Sequence, residues 1–155
     1  MRWRRRQALA LLAAATLAPR TQALPARTLV FPRDHGSHPE VRTEWWYVTG
    51  HVSAGTRRFG FQVTFFRSRI DAAQPLRSAF AARQVLSGHA AVTDLQAGRL
   101  LHAQRIARTG FGVAEAAEAD TAVRLRDWTL VRHAPSGSYR ADTQDDGFGL
   151  SLACT

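Results

Sequence analysis

Lysine does not occur in this chain; all 21 basic residues are arginine. Five of them fall within the first twenty residues, and the other 16 stand against 12 acids, a net of +4 in place of the +9 of the whole sequence. The remaining arginines are scattered along strand-like segments and form no stripe, which argues against nucleic acid as a partner. Lysine scarcity beside abundant Ala and Arg fits a GC-rich coding bias better than selection for a basic surface. The single cysteine, Cys154, excludes an intramolecular disulfide and, next to the last residue, reads as incidental. Gly-x-Ser-x-Gly, a phosphate-cradling glycine loop and paired cysteines are all missing, so no hydrolase nucleophile is visible and no cofactor is expected. Internal repeats are absent as well.

What is present begins with a leader. Met1-Arg2-Trp3-Arg4-Arg5-Arg6 is cationic, Ala8–Ala18 is an apolar run of small residues and Leu, and Thr21-Gln22-Ala23 offers small side chains for cleavage. Residues 1–23 read as a signal peptide, its apolar run being too short to span a bilayer. Arg5-Arg6-Gln7-Ala8-Leu9 resembles a twin-arginine signal without completing it, so both export routes stay open. The mature chain is expected in the periplasm or outside the cell. No second run of spanning length follows, so stable membrane insertion is not expected.

Residues 24–155 are of single-domain size. Val41–Ser53 and Arg57–Arg67 flank Ala54-Gly55-Thr56 and predict a hairpin. In the second strand Phe59, Phe61, Val63 and Phe65 share a core face. A loop with Pro75 and a short helical piece at Ser78–Arg83 precede strands at Val85–Asp94 and Leu100–Arg108, with the turn Asp94–Gly98 between them. Ala114–Asp120 is Ala/Glu-rich and predicts a turn of helix; Ala122–Arg132, Tyr139–Thr143 and Phe148–Ala153 predict further strands. Short strands with turn punctuation indicate an all-β antiparallel barrel or sandwich.

The densest segment is Glu44-Trp45-Trp46-Tyr47-Val48-Thr49-Gly50-His51-Val52. Strand alternation puts Glu44, Trp46, Val48 and Val52 on one face and Trp45, Tyr47, Thr49 and His51 on the other. With aromatics on both, neither face is expected to be an ordinary solvated surface. Glu44 beside Trp46 suits the wall of an apolar cavity; the competing reading is an ion pair with Arg42, Arg67 or another arginine. Trp45, Trp46 and Tyr47, with Phe61 and Phe65, are the candidate ligand-binding residues. His89 is a second candidate proton carrier, or else a hydrogen-bonded core histidine. Asp34, His35 and His38 invite a metal reading, but a loop plugging the mouth of the fold accounts for them without one, and no metal is expected. Asp94 reads as a turn residue and Asp127-Trp128 as a strand-end packing pair.

Phe31-Pro32-Arg33-Asp34-His35-Gly36-Ser37-His38-Pro39 leading into Glu44–His51 resembles the opening motif of the AttH/carotenoid 1,2-hydratase family, whose members are often labelled predicted secreted hydrolases. Phe59–Arg67, His89–Leu95 and Arg124–Leu130 are similar to later strands of that family, in the same order, and the likeness runs from about Leu29 to Leu152. The resemblance implies a lipocalin-like barrel, the first of two such domains. The sequence stops at Phe148–Thr155, where the first domain finishes, and lacks the Asp-His-Glu-Trp-Gly-type motif of the second. An incomplete barrel with unpaired edges is therefore expected. The function implied is cofactor-independent, acid-catalysed hydration or isomerisation of an apolar carotenoid-, lipid- or polyketide-like molecule. Glu44 would be the proton donor, and Trp45, Trp46 and Tyr47 would stabilise a carbocation. The alternatives are a lipocalin-like binding module without catalysis, or a non-functional fragment.

Overall fold

A computed structural model describes residues 27–155, and the leader expected over residues 1–23 lies outside them. Nine antiparallel strands follow a 3₁₀ turn at Arg33–His35: β1 Thr43–Ala54, β2 Arg57–Arg69, β3 Gln84–Asp94, β4 Arg99–Arg108, β5 Ala114–Ala116, β6 Ala122–Leu125, β7 Trp128–His133, β8 Ser138–Gln144 and β9 Gly149–Cys154. They form two sheets, β1-β2-β3-β4 and β5-β6-β7-β8-β9, each a meander. The all-β, lipocalin-like expectation holds, with the two sheets facing each other as a sandwich and not closed into a barrel. β1 and β9 are free edges, so one side of the sandwich is open.

Register explains which residues meet in the middle. Across β1 and β2, Glu44 pairs with Arg67, Trp46 with Phe65, Val48 with Val63 and Gly50 with Phe61, all on the inner face. Val63, Phe65 and Leu86 pack there against Val123, Leu125, Trp128 and Leu130 of the other sheet, with Ala90, Ala103 and Ala141 filling the narrower gaps. Gly55 and Gly98 take positive φ in the β1–β2 and β3–β4 turns, where a side chain would be strained.

Three local expectations are corrected. Ala122–Arg132 is not one strand but a hairpin, turned at Arg126-Asp127 with Arg126 at φ 59°. Its Trp128, the first residue of β7, packs at the strand end as expected: it is fully buried in the core and donates its indole N–H to the Gln144 carbonyl at 2.8 Å, while Asp127 stays exposed in the turn. Ala114–Asp120 forms no helical turn; Ala114–Ala116 pairs with Val123–Leu125 as β5, so sheet pairing overrides the helix propensity of Ala and Glu. Ser78–Arg83 is a turn, with the Ala81 N–H bonded to the Ser78 carbonyl, and not a helical piece. No helix among the described residues is long and apolar enough to cross a membrane.

Candidate functional site

The open side holds a cleft of about 680 Å³. Its apolar walls come from both sheets, Trp46 and Val48 of β1 opposite Leu130 and Tyr139 of β7 and β8, with Cys154 at its border. Asp34, His35, His38 and Glu44 line one end. Trp45 and Tyr47 border it too, although they are 59% and 61% exposed, because β1 is an edge strand and the cleft reaches around it. The outer face of β1 is thus solvated, contrary to the expectation from its aromatics.

The segment before β1 is strapped across both sheets. The Ser37 N–H and hydroxyl donate to the carbonyls of Ala117 and Ala116 at 2.7 and 2.9 Å. The His35 carbonyl accepts from the Trp46 indole at 3.1 Å and the Thr121 hydroxyl at 2.8 Å. Gly36 lies against backbone, where a Cβ would come within 2.2 Å of the Glu118 carbonyl oxygen. The geometry is that of the plugging loop expected from the sequence, and it makes the strap a wall of the cleft.

Beneath the strap a charged cluster joins Asp34, His38, Glu44 and Arg67. Arg67 is fully buried; its Nε donates to Glu44, and its Nη2 donates to the carbonyls of His38 and Val41 at 2.7 and 2.6 Å. The opposite carboxylate oxygen of Glu44 meets His38 Nδ1 at 3.0 Å, and the His38 backbone N–H donates to both. His38 Nε2 lies 2.9 Å from Asp34. The His38 ring bond, followed by the Val30 N–H and the neighbouring Arg27 charge, pulls the Asp34 carboxyl down to about 2. Every polar atom of His38 and Glu44 is thereby occupied inside the cluster. Of the two sequence readings of Glu44, the ion pair with Arg67 is present, and the same residue also lines the cleft.

A different pair faces the cleft with free capacity. The Tyr139 hydroxyl sits 3.3 Å from His35 Nδ1, and the His35 ring stacks on Phe31 at 4.4 Å between centroids. His35 and His38 engage different partners, and among the described residues no group of three or more His, Cys, Asp or Glu side chains is arranged to hold a metal ion.

The remaining candidates lie elsewhere. His89 is neither a core histidine nor a neighbour of Glu44: it is exposed on the outer face of β3, edge-on to Phe66 at 5.7 Å. Phe65 is sealed in the core, and Phe61 packs over Gly50; neither is part of the cleft lining. Sequence reasoning missed Leu130, Tyr139 and Thr121, and it set aside Cys154. Strand alternation could have placed Tyr139 inward with Ala141, but nothing local joins it to His35.

The fold and cleft define a two-sheet, lipocalin-like module with an apolar groove that has Asp34, His35, His38 and Glu44 at one end. The AttH-like family model matches residues 22–155, and the chain belongs to that family. A crystal structure of a candidate AttH from Nitrosomonas europaea is similar at 39% identity with a TM-score of 0.71, covering 88% of this chain and 40% of that one. This chain therefore spans well under two thirds of the length of that relative. No functionally curated protein matches it.

Proposed function

We propose that this AttH-like module holds an apolar small molecule, of isoprenoid, lipid or polyketide type, in the cleft between β1 and β7–β9. The observation that carries the reading is the apposition of Trp46 and Val48 with Leu130 and Tyr139 across a groove large enough for such a ligand. Burying apolar ligand surface against these side chains supplies the affinity. The lone thiol of Cys154 at the border makes the test direct. A polyene probe is expected to quench Trp fluorescence and to slow thiol labelling of Cys154. Trp46→Ala is expected to weaken the probe by ~1–3 kcal/mol with the fold intact. Unchanged probe affinity in folded Trp46→Ala, with Cys154 labelled at the same rate, would place the ligand elsewhere.

Acid-catalysed hydration or isomerisation is the second reading, and the His35–Tyr139 pair favours it. A donor at that end of the cleft would protonate an alkene, the aromatic walls would stabilise the cation, and water or loss of a neighbouring proton would complete the reaction. No cofactor is required. Glu44 and His38 act here as the frame that positions the strap, since their polar atoms are engaged with each other, with Asp34 and with Arg67.

An exported location belongs to the same proposal and rests on the leader anatomy of residues 1–23. Mass spectrometry of the periplasmic protein should find an N-terminus near Leu24. An intact Met1 would overturn it.

A further inference from the structure

At the end of the fold opposite the β1–β2 and β3–β4 turns, two connections present aromatic rings to solvent. Phe80 lies between β2 and β3 and is 72% exposed; Phe111 lies between β4 and β5 and is 60% exposed. Their rings stack, centroids 5.4 Å apart and 14° from parallel. The Arg108 guanidinium sits 4.4 Å from the Phe111 ring and 5.6 Å from that of Phe80, and it donates to the Phe80 carbonyl at 3.1 Å. The pair buries nothing in the core, yet the backbone is strained to present it. Phe111 has φ 56°, between Gly110 at 98° and Gly112 at 70°. A phenylalanine rarely holds that conformation.

Leu76 and Val113, 51% and 37% exposed, extend the apolar tip. Cations surround it. Arg83 donates to the Leu76 carbonyl, the Arg126 N–H bonds the Val113 carbonyl, and exposed Arg77 follows Leu76. Of the acids on these connections, Asp71 is paired with Arg69 at 3.4 Å, and Asp127 follows Arg126 in its turn.

We propose that this tip docks the protein on the surface of an anionic lipid bilayer, the stacked rings entering the headgroup boundary and the arginines meeting lipid phosphates. Apolar side chains on loop tips suit a deformable interface, and a ring of guanidiniums matches phosphate charge and geometry. The inference is independent of the ligand proposed for the cleft, since Phe80 and Phe111 are not part of its lining.

Vesicle co-sedimentation of the full chain tests it. Binding is expected to phosphatidylcholine vesicles doped with phosphatidylglycerol, to be weak without the anionic lipid, and to fall as salt rises. Phe80→Ser/Phe111→Ser is expected to lower binding at least about tenfold. Leu95→Ser, a change at an exposed apolar site on the opposite end, should leave it unaltered. Circular dichroism of each variant confirms that the fold is kept. Absence of binding by the parent, binding indifferent to phosphatidylglycerol, or full binding by the double variant overturns the proposal. A dimer that the double variant converts to monomer, with no vesicle binding by the parent, overturns it in favour of a second copy as the occupant.

Discussion

Gly88 of β3 lies directly against the indole of Trp128 on the opposite sheet. A Cβ added at Gly88 would come 3.1 Å from Trp128 Cε3 and 3.0 Å from Leu125 Cδ2, both in the closed core. Neither neighbour has solvent to retreat into. Gly88→Ala is therefore expected to lower stability by ~1–3 kcal/mol through overpacking, read as a fall in the denaturant midpoint. An unchanged midpoint would mean that the sheets can separate without loss.

Arg67 and Glu44 should behave as a coupled pair. Arg67→Met removes the partner of a largely buried carboxylate, and Glu44→Gln leaves a fully buried guanidinium without its counter-ion. Each is expected to cost ~3–5 kcal/mol. The double variant should cost less than the two singles together, because neither orphaned charge remains. Strict additivity in a denaturant double-mutant cycle would show that the pair does not interact as placed.

Asp34 sets an acid limit. Its carboxyl is held down to about 2 against an ordinary 3.8, chiefly by the His38 ring and the Val30 N–H. A depressed folded-state value gives stability that is full above the unfolded value and is lost as pH falls toward about 2. Asp34→Asn should thus be less stable than the parent near neutrality, with the gap narrowing between pH 3.8 and about 2. A gap that stays constant across that window contradicts the assignment.

The two histidine environments separate function from surface. If the module turns over a polyene, Tyr139→Phe should lower the rate about a hundredfold by removing the hydroxyl beside His35, with probe affinity retained. His89→Ala should change neither rate nor affinity, being on the outer face. A loss on His89→Ala would relocate the chemistry.

The β1–β2 hairpin was legible in the sequence because alternation and a glycine turn agree, and the register fulfils it from Thr43 with Ser68 to Ala54 with Arg57. The β6–β7 turn was hidden because arginine, not glycine, takes the left-handed position at Arg126. His89 was misplaced because its neighbours Ala91 and Thr93 do not reveal which face of β3 is inward; Leu86 and Ala90, both buried, decide it. Trp46 of the aromatic strand lies in the lining of the cleft. Its partners could not be read, since Leu130 and Tyr139 reach it only when the second sheet folds over the first.

The strap from His35 to Ser37 also has a kinetic meaning. Its bonds reach Ala116, Thr121 and Tyr139, partners 79, 86 and 104 positions away. Contacts at such separation close late, after local hairpins have formed. The cleft wall is therefore expected to assemble last, once translation has passed Cys154 at its border. An emerging chain would carry two folded meanders before the cleft has both its walls, so the cleft would report that the two sheets have met.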